Sequence, residues 1–297
     1  MIGEFAALGA AICWTVSALL YRKALSETKP VSANIARLTL TSAVLFVFFV
    51  ATGMLGVLAG LPMSVVVLAC VSGIIGLGLG DTFYLLSLKM VGVARAVPVT
   101  CTYPLFNLLW VALFGGGFIT WSLVLGAVSI VLGIWLLSLE GERGTFDSQK
   151  KVLGKGLALA LATALLWSVS IAMMDVAVTR TPNLVDAFAI NSVRVFAVAI
   201  SFVVSAPIVD KGLGFLKMRK RTAAVLLVSG IVALALGWFL LTYSFIDTPQ
   251  SRAVPISSAT PLFSTLAAIL LLHEKVSAKN VIGSIMIVAG IFIIFLV

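Results

Sequence analysis

The sequence predicts an all-α polytopic membrane protein with ten transmembrane helices, arranged as two inverted five-helix repeats. Apolar residues make up 61% of the 297-residue chain and charged residues only 10%, whereas a soluble domain carries about 25% charged residues. Apolar runs of about eighteen residues or more recur along the chain, and each can cross ~30 Å of hydrocarbon. A duplication within the chain divides these runs into two sets.

The duplication is clearest in two stretches of twelve residues. Residues 95–106 read RAVPVTCTYPLF and residues 252–263 read RAVPISSATPLF, with seven identical positions at an offset of 157. Other pairs match at the same offset or, near the start, at an offset of 153: Asn34 with Asn191, Arg37 with Arg194, Trp14 with Trp167 and Ser17 with Ser170. Self-similarity over this length is the signature of a repeated structural unit.

We place the ten spans at roughly 5–22, 33–51, 64–88, 96–115, 120–139, 156–176, 187–206, 222–246, 254–272 and 280–297. The hydrophilic segment 140–151 separates two five-span units, which we assign to residues 1–143 and 152–297. An odd number of spans per unit starts the second unit on the opposite side of the membrane. The two units are then related by a pseudo-two-fold axis in the membrane plane.

The distribution of lysine and arginine predicts the orientation. Loops after the odd-numbered spans hold fifteen of these residues, whereas the other loops hold only Arg180. The positive-inside rule therefore places the odd-numbered loops in the cytoplasm and both termini outside, in a multi-pass protein of the cell (plasma or inner) membrane. Because the positive charges cluster at span ends, the net charge of +9 indicates lipid contact and no nucleic-acid partner.

Glycines within spans indicate close helix packing. Gly73, Gly76 and Gly80 recur at three- and four-residue spacing in the third span, and no strand precedes them as a nucleotide-binding loop would require. Gly126 and Gly133 match Gly283 and Gly290 at the repeat offset. This second stripe suits either packing between helices of one chain or a dimer contact, so the sequence leaves monomer and homodimer open.

Two prolines are predicted to bend the fourth and ninth spans. Pro104 and Pro261 lie about two turns inside these spans and release the carbonyl groups of Thr100 and Ser257. Such a break within lipid requires protein, water or a side chain to satisfy the released group. Either the kinks line a cavity and bend during gating, or they are static and relieved by neighbouring hydroxyl groups.

Asp81 is the one carboxylate placed well inside a predicted span. An ionised acid near the bilayer centre costs at least ~2.5 kcal/mol, so it requires a partner. The candidate partners are Arg37 and Arg95. Three roles remain open for Asp81: carrying a coupling proton, forming a structural ion pair, or binding a cationic part of a ligand.

Arg37 and Arg194 each follow an asparagine by three residues, so arginine and asparagine share one helix face. They either present hydrogen-bond donors to an anionic group or reach the membrane interface, with the asparagine capping the helix. The aromatic residues Trp14, Trp167, Tyr84, Tyr103, Trp110 and Tyr243 either line a cavity or face lipid.

These features together resemble the drug/metabolite transporter superfamily of EamA type. The resemblance rests on two five-span units, Trp-x-x-Ser in the first span, arginine in the second and a proline-rich fourth span. It implies a central cavity surrounded by spans 1–4 and 6–9, with spans 5 and 10 outside. The acidic residue usual at the end of the fourth and ninth spans is present as Glu274, but Gly117 stands at the matching position of the first unit.

The resemblance and the residue inventory predict a secondary transporter that moves a small amino-acid-like metabolite or organic anion by alternating access. A passive channel and a multidrug-type exporter of amphipathic compounds are the alternatives. One histidine and one deep acid cannot form a metal centre, so we expect no enzyme activity, cofactor or metal. The candidate pathway residues are Trp14, Ser17, Asn34, Arg37, Asp81, Tyr84, Thr100, Tyr103, Asn107, Trp167, Ser170, Asn191, Arg194, Tyr243 and Ser257, with Pro104 and Pro261 as gating positions.

Overall fold

The computed structural model describes residues 2–114, 121–138, 147–272 and 276–296. Helices dominate, and no β-strand occurs in these residues. The helices are α1 (Ile2–Ala24), α2 (Pro30–Ala51), α3 (Leu55–Gly60), α4 (Met63–Val91), α5 (Val93–Thr100), α6 (Tyr103–Phe114), α7 (Trp121–Ser138), α8 (Asp147–Thr179), α9 (Leu184–Val209), α10 (Lys220–Asp247), α11 (Gln250–Ser257), α12 (Thr260–Leu272) and α13 (Ala278–Leu296). Gly117, Glu274 and most of the 140–151 connection lie outside the described residues.

Seven helical stretches of the described chain are long and apolar enough to cross a membrane. They are Ile2–Ala24, Pro30–Ala51, Met63–Val91, Lys151–Thr179, Leu184–Val209, Lys220–Asp247 and Arg252–Leu272. The predicted all-α, multi-pass class is thereby confirmed. The other three predicted spans correspond to the broken pair α5–α6 and to helices with shorter apolar stretches, Val124–Leu137 in α7 and Ala278–Ile293 in α13.

Two π-helical segments occur at equivalent places in the two halves of the chain. Ile74–Gly80 interrupts α4, and Ile231–Gly237 interrupts α10 at the repeat offset of 157 residues. Widened turns of this kind release carbonyl groups from regular helical bonding and concentrate at functional sites. Asparagine side chains bind carbonyl groups of both segments, since Asn34 Nδ2 donates to the Leu77 carbonyl over 3.1 Å and Asn191 Nδ2 donates to the Leu234 carbonyl over 2.8 Å.

The fourth and ninth predicted spans are broken, which corrects the expected kink within a continuous helix. The first break separates Thr100 from Tyr103, and the second separates Ser257 from Thr260. Pro104 and Pro261 are therefore the second residues of α6 and α12, where a missing N–H costs no helical hydrogen bond. Thr260 Oγ1 donates to the Ser257 carbonyl over 2.8 Å, so a hydroxyl satisfies one of the released groups.

The glycine stripe of α7 and α13 packs within the chain. A Cβ atom added at Gly133 would lie 2.7 Å from the carbonyl oxygen of Gly283. One added at Gly290 would lie 2.7 Å from the carbonyl oxygen of Gly126. The absence of side chains thus lets the two backbones touch, which supports the packing interpretation of the stripe.

The first helix of each half packs against the other half. Helix α1 contacts α10, α11 and α12, whereas α8 contacts α4, α5 and α6. Two glycines allow these helices to pack closely against the opposite half. A Cβ added at Gly80 would lie 2.9 Å from the Trp167 ring, and one added at Gly237 would lie 3.0 Å from Trp14 Nε1. Side chains from both halves consequently meet at the centre of the molecule.

Candidate functional site

A cavity lies where the two halves meet, with walls that are mostly aromatic and apolar. Its free space amounts to about 30 Å³, room for about two water molecules at the 10–15 Å³ that each requires. The lining residues are Trp14, Ser17, Tyr21, Arg37, Asp81, Tyr84, Val97, Thr100, Cys101, Tyr103, Trp167, Ile171, Ala233, Trp238 and Thr260.

A buried ion pair forms the polar end of this cavity. Arg37 Nη2 donates to Asp81 Oδ2, and both residues are almost fully buried. Arg37 Nε also donates to Asn34 Oδ1 over 2.8 Å, and Trp167 Nε1 donates to Asp81 Oδ1 over 2.8 Å. Asp81 therefore binds a cation from its own half and an indole N–H from the other half. Of the two candidate partners, Arg37 is the arginine that the fold brings to it.

Arg194 is equally buried but has different neighbours. Its guanidinium carbon lies 4.5 Å from the ring centroid of Trp238, the residue that stands at the repeat position of Asp81. Its Nη1 donates to Met174 Sδ over 2.9 Å and its Nη2 to Ser170 Oγ over 3.0 Å. A cation–π contact thus replaces the ion pair of the first half. Arg194 lies behind Trp238 and outside the lining of the cavity.

The burial of both arginines contradicts the alternative in which they reach the membrane interface. Arg37 is 1% exposed and Arg194 is 0% exposed, and both lie inside the protein. Nor do their asparagines cap helix starts, because Asn34 and Asn191 donate to carbonyl groups of the π-helical segments. The asparagine–arginine hydrogen bond forms in the first half alone, since Asn191 Oδ1 and Arg194 Nε have no hydrogen-bond partner.

Aromatic rings surround the ion pair in tilted and edge-to-face contacts. The ring centroids of Trp14 and Trp238 lie 5.1 Å apart, and those of Tyr84 and Trp167 lie 5.2 Å apart. Trp167 also contacts Trp238 at 6.3 Å, which joins the two pairs into one wall. The ring of Tyr21 lies 4.8 Å from the Arg37 guanidinium carbon. Such walls offer flat apolar surface and negative ring faces to a bound molecule.

Hydroxyl groups near the broken helices connect the two halves. Tyr103 Oη in the first half and Ser257 Oγ in the second half are 2.6 Å apart. Ser17 Oγ and Tyr21 Oη both donate to the Ser229 carbonyl over 3.2 Å. These bonds link α1 and α6 of one half to α10 and α11 of the other.

The structure brings part of the predicted residue set to the cavity and leaves part of it outside. Trp14, Ser17, Arg37, Asp81, Tyr84, Thr100, Tyr103 and Trp167 line it. Asn34, Ser170, Asn191, Arg194 and Ser257 lie behind that lining as buried hydrogen-bonding residues. Asn107, Tyr243, Pro104 and Pro261 are not among the lining residues. Tyr243 instead stacks on Phe239, with ring centroids 6.1 Å apart.

Sequence reasoning missed several lining residues, among them Tyr21, Trp238 and Thr260. Tyr21 could have been found because it follows Ser17 by four residues and so shares its helix face. Trp238 could have been found as the repeat partner of Asp81. No group of three or more His, Cys, Asp or Glu residues that could hold a metal ion occurs in the described ranges.

The fold and the cavity define a multi-pass membrane protein with an internal cavity built from both halves of its chain. The model of the EamA-like transporter family matches residues 1–139 and 154–296, so the chain belongs to that family. The double match agrees with the sequence duplication, and the predicted EamA-type membership is confirmed.

Individual relatives are similar over different shares of the chain. An uncharacterized transporter of Archaeoglobus fulgidus is 25% identical over 297 residues, covering 100% of this chain and 99% of its own. The uncharacterized transporter YetK of Bacillus subtilis is 27% identical over 145 residues, which are 49% of this chain and 42% of its own. A solved crystal structure superposes with a TM-score of 0.70 at 21% identity, covering 99% of this chain and 96% of the other; this likeness concerns the fold alone.

Proposed function

We propose that this membrane transporter is a secondary transporter that moves a small amino-acid-like metabolite or small organic anion by alternating access. The observation that carries the proposal is the central cavity, whose walls come from both halves and whose polar end is the Arg37–Asp81 pair. A site shared between two halves can be exposed to either side when one half rocks against the other.

We further propose that the chain crosses the cell membrane ten times, with both termini outside. The ten spans form two inverted repeats, residues 1–143 and 152–297. Paired features at the repeat offset support it, since the π-helical segments Ile74–Gly80 and Ile231–Gly237 and the asparagine bonds to them occur in both halves. The reciprocal packing of α1 and α8 supports it as well. The protein needs no second copy to complete the cavity, which favours a monomer.

The chemistry of the cavity supports a zwitterionic or anionic substrate. The Arg37 guanidinium can bind a carboxylate, and the Asp81 carboxylate can bind an ammonium group, while the rings of Trp14, Trp167 and Trp238 cover an apolar side chain. A multidrug-type exporter of amphipathic compounds would use the same aromatic walls but would gain little from a buried ion pair.

The small free volume supports a carrier over a passive channel. About 30 Å³ holds two waters and is too small for a metabolite, so binding requires the walls to separate. The cross-half bonds from Tyr103 to Ser257 and from Trp167 to Asp81 are candidates for the contacts that break. Movement coupled to binding limits the flux at high substrate concentration, whereas a channel conducts without saturation.

A transport assay with matched tryptophan variants tests the proposal. Protein in liposomes is screened with amino acids and small organic acids for saturable uptake and counter-exchange. Trp167→Phe removes the indole N–H that binds Asp81 and should slow transport about tenfold or more, whereas Trp110→Phe removes an N–H that donates to Ser168 outside the cavity and should leave it unchanged. Non-saturating flux without counter-exchange would show a channel.

For Asp81 we propose the structural ion pair as the role in this closed state, because its carboxylate is bound to Arg37 and Trp167. The two alternatives, carrying a coupling proton and binding a cationic part of the substrate, both require the pair to open during each cycle. Transport is measured against pH for the wild type and Asp81→Asn, with binding followed by tryptophan fluorescence. A structural role predicts reduced transport with an unchanged pH profile, whereas loss of the pH dependence in a variant that still binds would assign the coupling proton to Asp81.

A further inference from the structure

A second, polar cavity lies at the lysine-rich end of the molecule, separate from the central one. It has about 500 Å³ of free space and is lined by residues of the α1–α2 loop, the end of α4 and the α9–α10 loop. Four of them are Lys29, Lys89, Lys211 and Lys217, and we call this cavity the lysine vestibule. It shares no lining residue with the central cavity. Tyr21 of the central cavity belongs to one apolar cluster with Leu25 and Leu88, and Met218 of the vestibule packs against that cluster.

The two acidic residues of the vestibule are already engaged by protein groups. Asp210 is 4% exposed and accepts hydrogen bonds from Ser32 Oγ over 2.8 Å and from the Phe215 N–H over 2.9 Å. Glu27 Oε2 accepts a hydrogen bond from Thr222 Oγ1. Four lysines against two acids leave the lining with a net charge of two positive, and the lysine ammonium groups are exposed.

The α9–α10 loop holds two of these lysines in place. Leu213 adopts a left-handed φ of 50° and Gly212 a φ of 92°, and the Leu213 N–H donates to the Asp210 carbonyl over 2.7 Å. The turn thus folds around the buried Asp210 side chain and positions Lys211 and Lys217 on the vestibule wall. Lys89 Nζ is held by a 2.9 Å bond to the Thr28 carbonyl and retains further donors for a ligand.

The start of α2 adds positive potential to the same cavity. Lys29 precedes the helix, no side chain caps it, and Ser32 in its first turn belongs to the lining. The amino-terminal end of a 22-residue helix carries a partial positive charge and directs N–H groups outward. Combined with several lysines, such an end favours an anion with more than one charge, and phosphate groups are bound in this way.

We propose that the lysine vestibule binds a phosphate-bearing anion, a function that goes beyond the central transport site. Basic cavities between membrane helices bind lipid headgroups, and a soluble phosphate offers the same chemistry. The site lies where an anion could reach it from the lysine-rich side without entering the central cavity.

Two double variants, one in the α9–α10 loop and one where that loop joins α10, test the inference. Lys211→Gln/Lys217→Gln removes two lining charges, and Arg219→Gln/Lys220→Gln removes two charges that lie in the same segment but outside the lining. Binding of inorganic phosphate and pyrophosphate is measured by calorimetry in phosphatidylcholine nanodiscs. Phosphatidylglycerol retention is measured by native mass spectrometry in nanodiscs that contain both lipids.

We expect the lining variant to lose at least one of these ligands by roughly tenfold or more, because two lysines near an anion are removed, and the control variant to bind as the wild type does. Loss of phosphatidylglycerol alone would identify a lipid headgroup, and loss of the soluble anions would identify a free phosphate. Equal loss in both variants, or no binding of any probe to the wild type, would overturn the inference. Transport in phosphatidylcholine liposomes is a separate readout, so failure here leaves the proposed transport function standing.

Discussion

At the scale of single residues, the two halves solve the burial of an arginine in different ways. Arg37 has an ionised partner in Asp81, whereas Arg194 has a thioether, a hydroxyl and the face of Trp238. An exact repeat would have the same residue at positions 81 and 238, which are equivalent in the two halves. Because one is aspartate and the other tryptophan, the cavity is asymmetric. One carboxylate and one indole then line the cavity from opposite halves.

Breaking the Arg37–Asp81 pair should destabilise the protein more than removing it entirely. Arg37→Met leaves a buried carboxylate without its cation and should cost about 3–5 kcal/mol, because the uncompensated charge stays buried. The double variant Arg37→Met/Asp81→Leu should recover much of that loss, since no charge then remains to be solvated. Unfolding of the purified variants in detergent measures the difference.

The single variants Arg37→Met and Asp81→Leu and the double variant form a thermodynamic cycle. A double variant whose destabilisation equals the sum of the singles would contradict a direct pair. Lys23→Met serves as the control, because it removes a cation from an exposed position in α1.

At the scale of helices, glycine determines where side chains and backbones of neighbouring helices can approach closely. The π-helical segment of α4 reads IIGLGLG, and Ser170 and Trp167 lie against its glycines. The equivalent segment of α10, IVALALG, keeps one glycine at its end, where Trp14 packs. Since the second segment has only one glycine, glycine content alone does not cause the widened turn. Equivalent contacts with the asparagines of α2 and α9 accompany it in both halves.

Substitution within the glycine stripe should loosen the contact between α7 and α13. Gly133→Ala places a Cβ 2.7 Å from a backbone oxygen, so the helices must shift at a cost of about 1–3 kcal/mol. Gly154→Ala provides the matched control, because nothing lies within 4 Å of its added Cβ and alanine favours a helix. Apparent melting temperatures of the two variants in detergent should separate, and equal values would show that the stripe tolerates side chains.

At the scale of the whole molecule, the two halves are interlocked. Helix α1 lies among α10, α11 and α12, and α8 lies among α4, α5 and α6. Neither half can then form the cavity by itself, because Trp14 and Trp167 reach the centre only through the opposite half. A relative rotation of the halves would change all of these contacts together, which is the behaviour expected of a carrier.

The membrane topology provides a test at this scale. Reporters fused at the amino terminus and within residues 140–151 should lie on opposite faces, the first outside and the second in the cytoplasm, because five spans separate them. A reporter inserted at Gly53, which lies two spans from the amino terminus, should lie on the same face as the first. Reporters at the amino terminus and in 140–151 on one face would contradict the inverted repeat.

Much of the site could be predicted because charge within an apolar span is costly and therefore conspicuous. The sequence predicted Asp81 and two candidate partners, Arg37 and Arg95, in this way, and the repeat position of Arg37 pointed to Arg194. Tyr21 and Trp238 carry no such signal, since aromatic residues are common on lipid-facing surfaces as well as inside. Tyr243 shows the same ambiguity, because its polar tip suggested the cavity whereas its ring stacks on Phe239 outside the cavity lining.

The sequence by itself determined the membrane class, the duplication and the family, because hydropathy and self-similarity are properties of the chain read one residue after another. Tertiary structure alone decided that Asp81 binds Arg37 and Trp167, that Arg194 packs on Trp238 and that the proline-containing spans are broken. The contacts of Asp81 and Arg194 depend on which helices lie side by side, within one half for Arg37 and Trp238 and between the halves for Trp167. Such proximity arises from packing between segments more than forty residues apart, which periodicity along one helix does not encode.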